Sequence, residues 1–269
     1  MELRESIEFY KGEQLTMNKK ELLFYDDYEA FYTMTKGSNA FQTFCKDAFG
    51  EDFSQDGFSN KEQIDMILKY IPQNDDVHIL DIGCGNGKML GYLQERTRAH
   101  IYGFDYSETA ITTAKTLFCK NAEFREGIIG QIEYPKEKFD VIISMDTLYF
   151  AADMTAFMAQ VRNWLKKDGV FFVGYQEGDA IPKTSNAHTT MLVKALQENN
   201  MSYEVTDITK QTYELLKKKR ESAIKYRTLF EDEGYSQWFD MLIGQTEYIN
   251  VPFEQFKEKM ARYIYVIKK

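Results

Sequence analysis

Cysteine and proline are scarce in this chain, with three and four in 269 residues. The cysteines, Cys45, Cys84 and Cys119, show no metal-ligand spacing, so no metal is expected. Their odd number, beside an N-terminus too charged for an export signal ("MELRESIEFYKGE"), suggests a reducing compartment, and a cytoplasmic location is expected. Four prolines and no low-complexity run leave little room for long disordered linkers, and no internal repeat is visible. No apolar run approaches the ~18–20 residues of a membrane span, so no membrane partner is expected. Positive charge is also in deficit. Lys and Arg number 33 against 42 Asp and Glu, a net charge of −9, where a nucleic-acid surface would need clustered bases. The one basic run, "KKKR" at 217–220, falls in a helical pattern and reads as a solvated face. An acidic field mildly favours cationic ligands, by steering rather than by fold.

What is present is an ordinary apolar fraction, 43%, and a regular alternation of patterns. Residues 1–72 read as helical and aromatic, with Tyr25, Tyr28, Phe31 and Tyr32 at helical spacing, as core packing or as a ligand-facing stripe. From 77 the chain alternates strands ("VHILDIG", "HIYGFDY", "FDVIISMD", "VFFVGYQ", "SYEVTDIT") with helices ("KMLGYLQERT", "SETAITTAKTLF", "MTAFMAQVRNWLKKDG", "HTTMLVKALQENN"). Ser107 opens the second of these helices and Gly169 is expected to close the third. Repeated strand–helix units imply an α/β, Rossmann-like, doubly wound and mostly parallel sheet of seven strands. After Thr209 the periodicity turns purely helical, and the chain ends on an alternating strand, "ARYIYVIKK". The expected organisation is an N-terminal helical lid (1–72), a core (73–208), a helical cap inserted before the last strand (209–258) and a final strand returning to the sheet (259–269). In such sheets ligands bind beyond the carboxyl ends of the strands.

The stretch "HILDIGCGNGKML", 78–90, sets bare backbone just past a strand. Glycines there permit positive φ and close approach to a ligand, and the following helix presents free N–H groups. Two ligands compete. The dinucleotide pattern G-x-G-x-x-G fits Gly83 and Gly85, but its third position falls on Lys88. The pattern D/E-x-G-x-G-x-G of S-adenosylmethionine sites fits Asp81, Gly83, Gly85 and Gly87 without a gap. Asp105, ending the next strand, lies at the distance expected of an acid that accepts two ribose hydroxyls.

Together, "HILDIGCGNGK", "IYGFDYSETAI", "KFDVIISMDTLYF" and "WLKKDGVFFV" resemble the successive motifs of class I S-adenosylmethionine-dependent methyltransferases, over about 77–208. "AFGEDFSQDGFS", "VTDIT", the helical insertion and the closing strand are similar to the layout of phosphoethanolamine and sarcosine/dimethylglycine N-methyltransferases. In that group's loop a second glycine stands where this chain has Phe58, and a Ser or Thr where it has Asp56. The resemblance implies cofactor contacts from Asp81, Gly83, Cys84, Gly85, Asp105, Tyr106, Ile128, Ile129 and Met145. Ile128 stands where the family usually carries an acid near the adenine amino group. The catalytic histidine of the phosphobase enzymes falls on Phe150, and their tyrosine on Tyr32. Of the three histidines, His78 and His100 open strands at the wrong edge of the sheet, and His188 opens a helix on the cap side.

Asp146 ends the fourth strand at the edge where chemistry occurs, and is expected to hold a substrate amine or to cap the next turn. Tyr25, Phe150 and Tyr175 are the expected substrate contacts, Tyr175 by its match to a phosphate-facing tyrosine. The bases that a phosphate would need are not evident in "QEGDAIPKTSN". The expected protein is therefore a monomeric or homodimeric methyltransferase of a small molecule, with S-adenosylmethionine as cofactor and an amine nitrogen as acceptor. Alternatives are O- or C-methylation of a small aromatic or polyketide-like molecule, and a non-catalytic cofactor-binding protein.

Overall fold

A computed structural model describes residues 19–269. The helical expectation for the N-terminal segment extends to residues 1–18, which lie outside the described residues. Seven strands form one sheet: β1 (His78–Ile82), β2 (His100–Asp105), β3 (Ala122–Glu126), β4 (Phe139–Met145), β5 (Leu165–Glu177), β6 (Ser202–Asp207) and β7 (Ala261–Lys268). Their order is β3-β2-β1-β4-β5-β7-β6. The first five pair in parallel, and β7 runs antiparallel between β5 and β6. The chain reverses its direction of filling after β3, so the carboxyl ends of β1, β2 and β4 border one crevice.

Alternation along each strand divides the core in two. Leu80, Ile82, Ile142 and Phe171 face one side, with Trp164 and Leu192. Ile79, Ile101, Ile143 and Phe172 face the other, with Ile64, Leu90 and Ile111. The helices that cover the two faces are α3 (Lys61–Ile67), α4 (Lys88–Thr97), α5 (Glu108–Leu117), α6 (Met154–Trp164) and α7 (Met191–Glu198). Side-chain caps set where they start. Ser107 Oγ accepts from Ala110 N, and Asn60, Asp153 and Thr190 do the same for α3, α6 and α7.

Two further helices are α1 (Tyr25–Gly37), whose Tyr28 and Tyr32 line the crevice, and α2 (Asn39–Phe49). They pack with the insertion after β6, which forms α8 (Thr209–Lys225), α9 (Arg227–Asp232), α10 (Ser236–Gln245) and α11 (Phe253–Lys259). Phe31, Phe41, Phe44, Leu215, Phe230 and Leu242 share one apolar cluster. Glu233 accepts from Ser38 Oγ at 2.7 Å and Ala40 N at 3.0 Å, fastening the start of α2 to the insertion.

One local expectation is corrected. Helix α6 ends at Trp164 rather than at Gly169, because Leu165 already pairs with Phe139 and "LKKDG" enters β5 through a register shift. Among the described residues, no helix is long and apolar enough to cross a membrane, and no group of three His, Cys, Asp or Glu is placed to hold a metal.

Candidate active site

A cleft of about 1070 Å³, its open mouth included, sits at the carboxyl edge of β1, β2 and β4. Its floor is the glycine loop. Gly83 and Gly85 have φ of +74° and +51°, which a side chain rarely adopts. A Cβ on Gly83 would lie 2.6 Å from Thr147 Cγ2, and one on Gly85 would collide with the Tyr32 hydroxyl. Bare backbone is therefore required on steric as well as conformational grounds.

Two acids flank this floor. Asp105 is buried at the end of β2, where Oδ2 accepts from Gly85 N at 3.0 Å and Oδ1 from Ser107 N at 2.9 Å. One carboxylate thus ties the glycine loop to the start of α5. Burial pushes its pKa up to about 6, against those backbone hydrogen bonds. Asp81, at 2% exposure, has no side-chain donor among the described residues. Burial and the nearby charge of Asp105 hold its carboxyl well above the usual range. A buried acid without a donor, facing a glycine cradle, fits a ligand that brings a cation of its own.

All the expected cofactor residues, Asp81, Gly83, Cys84, Gly85, Asp105, Tyr106, Ile128, Ile129 and Met145, line this one cleft. Tyr32, Asp146 and Phe150 line it as well. Tyr32 is held in the site by α1 and is 9% exposed; burial, then the charge of Asp105, push its phenol well above the ordinary range.

Three expectations are corrected by geometry. Asp146 is not free to pair an amine. Arg262 of β7 binds both its oxygens, Nε to Oδ1 at 2.9 Å and Nη2 to Oδ2 at 2.6 Å. Arg262 is fully buried, and its remaining donors reach Phe58 O, Gln63 Oε1 and Ser59 Oγ at 2.6, 2.8 and 2.8 Å. All five guanidinium N–H donors are thereby satisfied. Tyr175 is not at the cleft; it is 2% exposed in the core, packed against Tyr265. Tyr25 lies behind the cleft wall, its ring 5.8 Å from that of Tyr106. The histidines are remote: His78 stacks on His100 at the opposite strand ends, and His188 bonds Tyr203.

Lining residues not expected as contacts include Asn86, Thr147, the segment from Phe53 to Gly57 and Ser59, together with Tyr28 of the aromatic stripe. The signal for that segment was the glycine-bearing loop before the first strand, which gave its place but not its contacts. Lys88, which blocks the dinucleotide pattern, donates to Asp52 Oδ2 at 2.6 Å and Ser54 Oγ at 2.7 Å, fastening this loop to the start of α4.

Fold, cradle and paired acids define the site of a class I methyltransferase. The family model described as "Methyltransferase domain" matches residues 73–234, more than half of the chain. The chain belongs to that family. Over 153 residues it is 32% identical to phosphoethanolamine N-methyltransferase 3 of Arabidopsis thaliana, covering 54% of this chain and 30% of that one. Over 102 residues it is 35% identical to the ubiquinone biosynthesis O-methyltransferase of Bartonella quintana (strain Toulouse), 37% of this chain and 41% of that one. The chain thus spans less than half the length of these relatives. Its fold matches that of phosphoethanolamine N-methyltransferase 2 of Haemonchus contortus, in complex with phosphomonomethylethanolamine and S-adenosylhomocysteine. The TM-score is 0.74 at 15% identity, over 93% of this chain and 60% of that one. The donor-free Asp81 and the glycine cradle fit the class's cofactor.

Proposed function

We propose that the protein transfers a methyl group from S-adenosylmethionine to the nitrogen of a small amine. The observation that carries this reading is the charge of the cleft. Among the described residues its lining includes Asp56, Asp81, Asp105 and Asp146 and no Lys, Arg or His. Asp146 is neutralised by Arg262. Asp81 and Asp105 flank the glycine loop, at the cofactor end. Beyond it the lining includes Tyr28, Phe150 and Asp56, and Tyr32, whose hydroxyl reaches the glycine loop at Gly85. Such a wall repels phosphate and carboxylate and suits a cation or an amine.

The bound cofactor supplies a methyl group on a positively charged sulfur, already a good leaving group. The chain's share is alignment and exclusion of water. Asp105 would accept the ribose hydroxyls, and Asp81 the methionine ammonium. Tyr32 stays a neutral phenol because burial raises its pKa, so it would orient the acceptor by hydrogen bonding rather than act as a base. The acceptor would react as its free amine, the ammonium proton first lost to solvent at the open mouth, so that its lone pair forms the N–CH₃ bond as the S–CH₃ bond breaks. A second reading, methylation at oxygen, is supported by the similarity to ubiquinone biosynthesis O-methyltransferases; a phenol fits the aromatic wall, although its phenolate would face Asp56.

Mass spectrometry of the protein with S-adenosylmethionine and a mixed panel tests the reading. The panel holds simple amines, glycine, sarcosine, phosphoethanolamine and simple phenols. A methyl gained by an unphosphorylated amine is the expected result. A methyl gained by a phenol and by no amine would replace nitrogen with oxygen. Cofactor binding without transfer to any member would favour the non-catalytic reading.

A further inference from the structure

The bases missing from the cleft lining stand behind it, and they hold the segment 52–59 at three places. Lys88 holds Asp52 and Ser54, and Arg262 holds Phe58 O and Ser59. The middle is held differently. Lys219 of α8, 2% exposed, donates to Gln245 Oε1 at 2.7 Å, and Gln245 Nε2 donates to Asp56 Oδ1 at 2.8 Å. An ammonium can only donate, so it turns the Gln245 carbonyl toward itself and the amide NH₂ toward Asp56. Asp56 is thus oriented by a neutral group, with the nearest cation one side chain further back. Its second oxygen has no donor among the described residues. This is the reverse of Asp146, which a guanidinium neutralises directly.

A second observation points to the same place. Tyr32, 9% exposed, brings to the cleft a hydroxyl with no partner among the described residues. The rings of Tyr28 and Phe150, 6.4 Å apart at 71°, add aromatic surface beside it. An un-neutralised carboxylate with aromatic faces is a site for an organic ammonium.

We propose that Asp56 is the specificity-determining carboxylate of the acceptor end, selecting a small molecule by its ammonium group, and that Gln245 and Lys219 are its positioning residues. The proposal rests on the methyltransferase reading above, and deepens it. It makes the helical insertion a determinant of acceptor choice, since α8 and the end of α10 fix the direction of Asp56. A phosphorylated molecule is disfavoured, because every base near the segment already has a partner behind the wall.

The test is calorimetric titration of the full chain saturated with S-adenosylhomocysteine. The probes are choline, its neutral isostere 3,3-dimethylbutan-1-ol, and phosphocholine. Choline is expected to bind about tenfold or more tightly than either of the others, the scale of a desolvated cation–π contact with a carboxylate. Asp56→Asn should bring choline down to the level of the neutral alcohol and leave S-adenosylhomocysteine affinity unchanged. Gln245→Leu should weaken choline several-fold and leave the alcohol unchanged. Lys219→Met reads the same arm, and Lys219→Arg should restore part of the preference, which a merely structural role would not produce. An undiminished choline preference in Asp56→Asn, or phosphocholine binding as tightly as choline, would overturn the proposal. Failure to bind S-adenosylhomocysteine would instead overturn the methyltransferase reading. Because Asp56 is only partly buried, its Asn variant keeps the proposal testable if a Lys219 variant does not fold.

Discussion

The two ends of this cleft are made in different ways. The cofactor end is assembled from three short stretches, 81–87, 105–107 and 127–129, at the carboxyl ends of the neighbouring strands β1, β2 and β3. Its polar joints run largely through backbone, as between Asp105 and the N–H groups of Gly85 and Ser107. The proposed acceptor end depends on the segment 52–59, whose partners lie 36 residues away at Lys88, 189 at Gln245 and 203 at Arg262. A backbone cradle is fixed by strand order and glycine. A segment held by distant side chains can be redirected by changing any one of them. Such a division lets a fold keep one cofactor and exchange acceptors.

The largest expected effect falls on Arg262, because it joins both halves. Arg262→Met leaves the carboxylate of Asp146 without its ion-pair partner, the Ser59 hydroxyl at 3.4 Å being its remaining side-chain donor among the described residues, and should cost roughly 3–5 kcal/mol in urea unfolding, as for other broken buried pairs. Arg262→Met with Asp146→Asn should recover a measurable part of the loss, since the stranded charge is gone. A single variant as stable as the parent would remove the strongest pin from the acceptor end.

Next comes Asp105. Asp105→Ala should weaken S-adenosylmethionine binding by about 1.5–3 kcal/mol, the scale of a hydrogen bond to a charged group, with little change in acceptor preference. A pH dependence follows from the same residue. Its folded pKa of about 6 lies above the ordinary carboxyl value of about 3.9, so the folded state holds an extra proton between the two. The free protein therefore loses stability as pH rises through that window. If Asp105 accepts the ribose hydroxyls as proposed, the cofactor needs the carboxylate, so binding should release a proton near pH 5.5 and affinity should fall as pH drops below about 6. Asp81, also raised, acts in the same direction. Titrations at pH 5.5 in buffers of different ionisation heat measure the proton, and Asp105→Asn should remove part of it.

The same contrast explains what the sequence made legible. Strand alternation, the glycine run, Asp105 and the Ser107 cap were readable because each is a short-range requirement of backbone geometry. Asp146 was placed at the correct edge, but no local pattern could say that Arg262, 116 residues on, would occupy it. Tyr175 follows the strand's alternation into the core, and Tyr25 follows the helix to the far side of Tyr106. Asp56 stood in a recognisable loop, yet its orientation depends on a glutamine and a lysine in the insertion.

The smallest expected effect is at Lys88, and it separates the two ends most sharply. This lysine begins α4, directly after the glycine loop, so sequence position assigns it to the cofactor end. Its contacts assign it to the acceptor end, through Asp52 and Ser54. The ion pair is largely covered, at 23% and 10% exposure for the two side chains, but Asp52 keeps the Ser54 N–H and hydroxyl as donors, so Lys88→Met should cost about 1–2 kcal/mol of stability. If contacts decide, the variant should weaken choline binding by a few-fold and leave S-adenosylhomocysteine affinity unchanged. If position decides, cofactor affinity should fall instead, toward the loss expected of Asp105→Ala, and the two ends of the cleft would be one coupled site.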